Sequence, residues 1–186
     1  MKFRLLAVIS AGLLSFPMVA SAADVEIALL ADLDTTTNNF CLDIMGGNAN
    51  VDPSRGLQAH TCFSYQGAIG PDQAVTLEGL ENGLFHISGF DVCMTMESLE
   101  EGALVALEAC GGNDLQKFDF VENGNISPQG APGMCITVAD ETTYGRAVRH
   151  QIRQLSLEEC SAELAPRQQW FSRNQADYEA ALAASE

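Results

Sequence analysis

The chain has 186 residues, with 9 Lys and Arg against 25 Asp and Glu, for a formal charge of −16 at pH 7. Proteins that hold nucleic acid neutralise phosphates with basic side chains, so this balance excludes nucleic acid as a partner class. The length suits one domain with a core of its own.

The chain opens with MKFRLLAVISAGLLSFPMVASA, in which Lys2 and Arg4 precede a short apolar stretch that ends in Ala20-Ser21-Ala22. That order is the pattern of a cleaved secretory signal, predicted over 1–22. Cleavage leaves 164 residues and, by removing Lys2 and Arg4, moves the formal charge from −16 to −18. No later segment approaches the roughly 20 apolar residues that span a bilayer, so no membrane insertion is expected. The first cysteine lies far from the new N-terminus, where nothing invites a lipid anchor. The mature protein is expected to be secreted or periplasmic.

Beyond the signal, short segments rich in β-branched or alternating apolar residues follow one another: VEIALL, LFHIS, VCMTM, ALVALEA, KFDFVE, MCITV and QWFS. Turn signals separate them, notably Glu81-Asn82-Gly83 and Glu122-Asn123-Gly124. About a dozen short strands are implied, and the fold is predicted to be all-β. Only NQADYEAALAASE at the end favours helix, as a frayed tail over 175–186.

The six cysteines form an even set in an exported chain and carry no Cys-x-x-Cys spacing, so they read as a disulfide framework with fifteen connectivities open. They fall into three groups, Cys41 and Cys62, Cys93 and Cys110, Cys135 and Cys160. A glutamine follows each second cysteine at a spacing of 11, 6 and 8, as Gln73, Gln116 and Gln168, each with a hydrophobic residue two positions on. Internal recurrence of this kind marks a repeat architecture. The repeats run over about 25–81, 82–122 and 123–174, within one domain over 23–174.

On Cys41-Leu42-Asp43-Ile44, Leu57-Gln58-Ala59-His60-Thr61-Cys62, Asp72-Gln73-Ala74-Val75 and Gln168-Gln169-Trp170, the chain resembles the ricin B-type lectin family. The resemblance implies a β-trefoil of three repeats, each closing its own disulfide in the sequential pairing above. Where the family's Gln-x-Trp motif has tryptophan, the first two repeats have Val75 and Phe118.

The resemblance also implies a sugar site. Recognition of a pyranose needs polar groups that take hydroxyl hydrogen bonds and a ring against its apolar face. By this likeness Asp43 is the hydroxyl acceptor, Gln58 assists, His60 is the stacking ring, and Asp72 with Gln73 completes the set. The same positions carry Thr95, Ala106, Glu108, Leu115 and Gln116 in the second repeat, and Thr137, Ser156, Glu158, Arg167 and Gln168 in the third. Carboxylate, amide and ring coincide in the first repeat alone, so one sugar site is expected there, for galactose-type or related glycans. The alternative is a trefoil scaffold that binds a protein partner and has lost sugar binding. The three glutamines read as structural in every repeat.

Catalysis finds little support. The histidines are His60, His86 and His150, there is no Gly-x-Ser-x-Gly, and no spacing of metal ligands stands out, so neither an enzyme nor a metal or other cofactor is expected. Against the acidic background, YGRAVRHQIRQ gathers Arg146, Arg149 and Arg153. These would form a docking patch for an acidic polymer or protein partner if they shared one helical face.

Overall fold

The structure, a computed structural model, describes residues 24–35, 38–47 and 50–185; the expected signal segment 1–22 lies outside them. The first repeat holds β1 (Asp24–Leu29), β2 (Phe40–Ile44), β3 (Leu57–Thr61) and β4 (Val75–Thr76). After a short helix α1 (Leu77–Glu81), the second holds β5 (His86–Ile87), β6 (Val92–Met96), β7 (Val105–Glu108) and β8 (Phe118–Phe120). The third holds β9 (Ile126–Pro128), β10 (Met134–Val138), β11 (Thr143–Tyr144), β12 (Gln151–Glu159), a turn of helix α2 (Ala165–Gln168) and β13 (Trp170–Arg173). Helix α3 (Gln175–Ala184) ends the described chain.

Strand by strand this matches the alternation in the sequence. Each repeat contributes one hairpin, β2–β3, β6–β7 and β10–β12, and the three share one register. Cys41 faces His60, Cys93 faces Glu108 and Cys135 faces Glu158; two residues on, Asp43 faces Gln58, Thr95 faces Ala106 and Thr137 faces Ser156. The remaining strands pair around the molecule: β1 with β4 and β13, and β8 with β9. Trp170 N–H donates to Gly124 O at 2.7 Å, joining β13 to the segment before β9. The arrangement is a β-trefoil.

Its core is drawn from equivalent positions of all three repeats: Ile27 and Ile126 on the first strands with Phe85 just before β5, and Leu42, Met94 and Ile136 in the hairpins. The third residue of the Gln-x-Trp motif lies in the same core, as fully buried Val75, Phe118 and Trp170. Burial is what this position requires, which is why valine and phenylalanine can stand where the family has tryptophan. All three disulfides close within their own repeats, Cys41–Cys62, Cys93–Cys110 and Cys135–Cys160, with Cα separations of 4.9, 5.0 and 5.1 Å.

The last strand returns to the first. Glu26 on β1 faces Arg173 on β13, and Arg173 Nε meets Glu26 Oε2 at 3.1 Å with both side chains buried. Glu26 Oε1 also accepts the Ser64 N–H at 2.9 Å, and Arg173 reaches Asn38, Asn39 and Ser64.

The two turn signals are turns. The first follows α1, a helix not expected from sequence, which forms because Thr76 Oγ1 accepts the Gly79 N–H at 3.1 Å as its N-cap. Gly83 then takes φ +70, where a Cβ would also press to 3.0 Å from Phe118 O. In the second turn Asn123 takes φ 57. The tail is helical, as expected, and starts with a capping box between Asn174 and Asp177. None of its residues is buried, but Tyr178 lies beneath the Arg173 guanidinium and Gln175 Nε2 donates to Ser64 O at 3.1 Å.

Candidate functional site

One polar unit recurs in each repeat, built around the motif glutamine. Gln73 Nε2 donates to Thr61 O, Gln116 Nε2 to Ala109 O and Gln168 Nε2 to Glu159 O, each the carbonyl just before the repeat's second cysteine. The Oε1 atoms accept the N–H just after that cysteine, from Phe63, Gly111 and Ser161. The remaining amide hydrogen goes to the residue two places after the first cysteine: Asp43 Oδ2 at 2.9 Å, Thr95 Oγ1 at 3.0 Å and Thr137 Oγ1 at 2.8 Å. The glutamines therefore tie the motif turn to the hairpin and the disulfide, the structural role expected of them.

Only in the first repeat does this unit include a charge-bearing group. Thr95 and Thr137 turn their hydroxyl hydrogens back to Cys93 O and Cys135 O, which completes a closed unit. Asp43 instead takes a second amide, Gln58 Nε2 on Oδ1 at 2.8 Å, from directly across the hairpin. A carboxylate offers about four acceptor positions, so both oxygens keep capacity. Burial pushes the Asp43 pKa well above the usual carboxylate value, with the nearby Asp72 charge adding to the rise; the Gln58 and Gln73 hydrogen bonds oppose it. Burial also raises Asp72, opposed by its own backbone N–H.

His60 stands two residues along β3 from Gln58, on the same face. Its Nδ1 lies 2.8 Å from Thr61 O, and burial lowers its pKa below the ordinary imidazole value, against the opposing effect of that carbonyl. The ring sits between Phe63, at 5.1 Å, and His150, at 5.5 Å between centroids. Gln58 and Gln73 both bond Asp43, Asp72 lies near enough to raise its pKa, and His60 shares the Gln58 side of β3; all five are covered: Asp43 is 1%, Gln58 7%, His60 6%, Asp72 7% and Gln73 0% exposed.

Part of the cover over His60 comes from the third repeat. Strand β12 runs beside β3, with Ile152 facing His60 and Gln154 facing Gln58, and the turn before it brings His150 onto His60. Nothing local in the first repeat announces this, since the covering residues lie some ninety positions away in sequence.

The same segment corrects the expected basic patch. Residues 143–159 form β11, a turn and β12, so the three arginines share no helical face. Arg153 is buried: Nη2 pairs with Asp34 Oδ1 at 2.7 Å, Nη1 donates to Ala139 O and Nε to Thr142 Oγ1, and the guanidinium lies over Phe40. It is committed to the fold. Arg146 and Arg149 are exposed in the turn.

In the second and third repeats, Glu108 and Glu158 occupy the His60 position and neither places a ring there. Leu115 and Arg167 replace Asp72, and Arg167 donates to Val138 O at 3.1 Å. Glu26, Cys41 and Cys62 lie close enough together to suggest metal ligands, but both sulfurs are in a disulfide and Glu26 is bound to Arg173.

The ricin-type beta-trefoil lectin domain family matches the chain over residues 31–170. No curated protein sequence matches it. Among solved structures the chain is similar to an agglutinin from Abrus precatorius, with 16% identity and a TM-score of 0.58 over 86% of this chain and 52% of that one, so it spans about half of that protein. A designed threefold-symmetric protein, ThreeFoil, matches with 18% identity and a TM-score of 0.56, over 81% of this chain and 98% of that one. The earthworm lectin C-terminal domain, a mutant in complex with 6'-sialyllactose, matches with 13% identity and a TM-score of 0.50, over 82% and 98%. Three hairpins in one register, three motif glutamines with one set of partners and a match through all three repeats together place the chain in the ricin-type β-trefoil lectin domain family.

Proposed function

We propose that the chain is an exported carbohydrate-binding protein, not an enzyme, with one sugar site on the polar face of the first hairpin. Membership of a lectin family supports carbohydrate as the ligand class, and among similar solved structures the earthworm lectin domain is in complex with 6'-sialyllactose. Three intra-repeat disulfides and the secretory pattern of residues 1–22 support export.

One observation carries the location: at a single hairpin register, Asp43 and Gln58 stand where the other repeats have Thr95 with Ala106 and Thr137 with Ser156. In this assignment a pair of sugar hydroxyls donates to the free acceptor positions of Asp43. Gln58 and Asp72 assist, Gln73 holds the carboxylate in place, and His60 supplies the ring once His150 swings away from it. A few hydrogen bonds and one small ring suit a Kd on the order of 0.1 to 1 mM. Galactose-type glycans are the first candidates.

The test is calorimetry with a ligand found on a glycan array, comparing the native protein with the Asp43→Thr/Gln58→Ala double variant, which installs the second-repeat pair. Affinity at the first hairpin should fall at least tenfold. Unchanged affinity, or sugar bound equally at the equivalent hairpin faces of the second and third repeats, would remove the single site from the first repeat. The burial of Asp43 favours a second reading, in which its carboxylate is a closed polar cluster of a scaffold that binds a protein partner. On that reading the double variant binds its partner as the native protein does and neither binds sugar.

A further inference from the structure

The three repeats cover their disulfides differently. On the first strand of each repeat, the residue beside the first cysteine is Ala28, His86 and Ser127 in turn. The neighbouring strand places a residue beside that one: Phe171 faces Ala28 and Asp119 faces Ser127. In the first repeat Phe171 packs onto the buried cluster of Ala28, Cys41 and Cys62. Phe171 follows Trp170 and Asp119 follows Phe118, so the matching residue for the second repeat is the one after Val75, which is Thr76. Its side chain is short and is already committed to capping α1.

The result is a cleft of about 470 Å³ over the Cys93–Cys110 disulfide, inside the size range of small-molecule sites. The disulfide and Leu84 supply its apolar lining, and Glu78, Asn82, His86 and Ser88 supply polar groups. It shares no residue with Thr95, Ala106, Glu108, Leu115 or Gln116, the second-repeat counterparts of the first-repeat face. His86 brings an unspent polar atom: Nε2 is enclosed and has no hydrogen-bond partner among the described residues, with Asp91 Oδ1 at 3.6 Å, beyond reach. Asn82 Nδ2 donates to Glu78 O, which leaves its side-chain carbonyl as an acceptor.

We infer that this cleft is a second binding site, separate from the first repeat, for a neutral polyhydroxylated ring such as a pyranose. A carboxylate, an amide oxygen, a hydroxyl and an imidazole present both acceptors and donors, which hydroxyl groups match because each both gives and accepts. The apolar lining suits the C–H face of such a ring. Glu78 and Asp91 disfavour an anion. A ligand hydroxyl gives His86 Nε2 the partner it lacks, by rotation of the imidazole about its Cβ–Cγ bond.

Amide chemical shifts of the full chain, titrated separately with galactose, glucose, N-acetylglucosamine and glucosamine, test this. With at least one of the three neutral sugars, the amides of Gly79, Ser88, Cys93 and Cys110 should move together. His86→Ala should weaken that response at least tenfold, and Asn82→Ala, at an exposed position, should weaken it without threatening the fold. The Asp43→Thr/Gln58→Ala protein should respond as the native one does. Cleft amides that stay fixed with every neutral sugar, that move only with cationic glucosamine, or that move equally in both cleft variants would overturn the assignment. Movement at Gln58 and His60 alone would support the first-repeat site and defeat this one; movement at the cleft alone would do the reverse.

Discussion

Asp43 is where chemistry and stability pull on one atom pair. Its pKa is raised in the folded protein, so the folded state holds the proton more tightly than the unfolded chain, whose carboxyl titrates near 3.8. The stability from this group is complete below that value and is lost as pH rises through the raised folded pKa. Asp72 acts in the same sense. His60 acts in the opposite one: its pKa lies below the ordinary 6.5, so its contribution is complete above 6.5 and is lost as pH falls through the folded value. The Asp43→Thr/Gln58→Ala protein should therefore lose part of the decline that sets in as pH rises above about 4, and gain on the native protein as pH climbs. Urea midpoints measured across that range check this, and an unaltered pH slope would mean that Asp43 is not buried as described.

At the scale of the element, the glutamine unit should behave alike in all three repeats, whatever stands at position 43, 95 or 137. Removing the side chain leaves a part-buried N–H and a part-buried carbonyl beside the second cysteine without their partner, and takes away the amide that bonds the buried Thr95 or Thr137 hydroxyl. Gln116→Ala and Gln168→Ala should each cost on the order of 3 kcal/mol in chemical denaturation. A loss below about 0.5 kcal/mol in either would show that water replaces the side chain without penalty. This unit was legible in the sequence because its parts recur: cysteine, residue two places on, second cysteine, glutamine. Recurrence also fixed which residues of the three hairpins correspond, and the registers agree position for position. What did not recur stayed hidden. Arg153 looks like a surface charge until Asp34, 119 residues away, pairs with it. Part of the cover over His60 likewise comes from another repeat, and the cleft at His86 exists because Thr76 is not a large residue, which only superposition of the repeats reveals.

For the molecule as a whole, closure depends on the meeting of β1 and β13. Glu26 and Arg173 lie opposite each other there in a buried ion pair, so removing one partner leaves an uncompensated charge. Arg173→Met should cost about 3 to 5 kcal/mol, and Glu26→Leu with Arg173→Leu should cost less than the single change, a comparison that thermal or urea unfolding makes directly. A double variant worse than the single one would mean that the pair itself, and not the orphaned charge, holds the two strands together. The same seam carries the only tryptophan in the chain, Trp170, facing Leu29 with its indole fully buried and its Nε1–H given to Ile136 O at 3.2 Å. Intrinsic indole fluorescence therefore comes from a single dry position on the final strand. Its shift to longer wavelength in denaturant is a built-in optical record of the last strand parting from the first, available without any label.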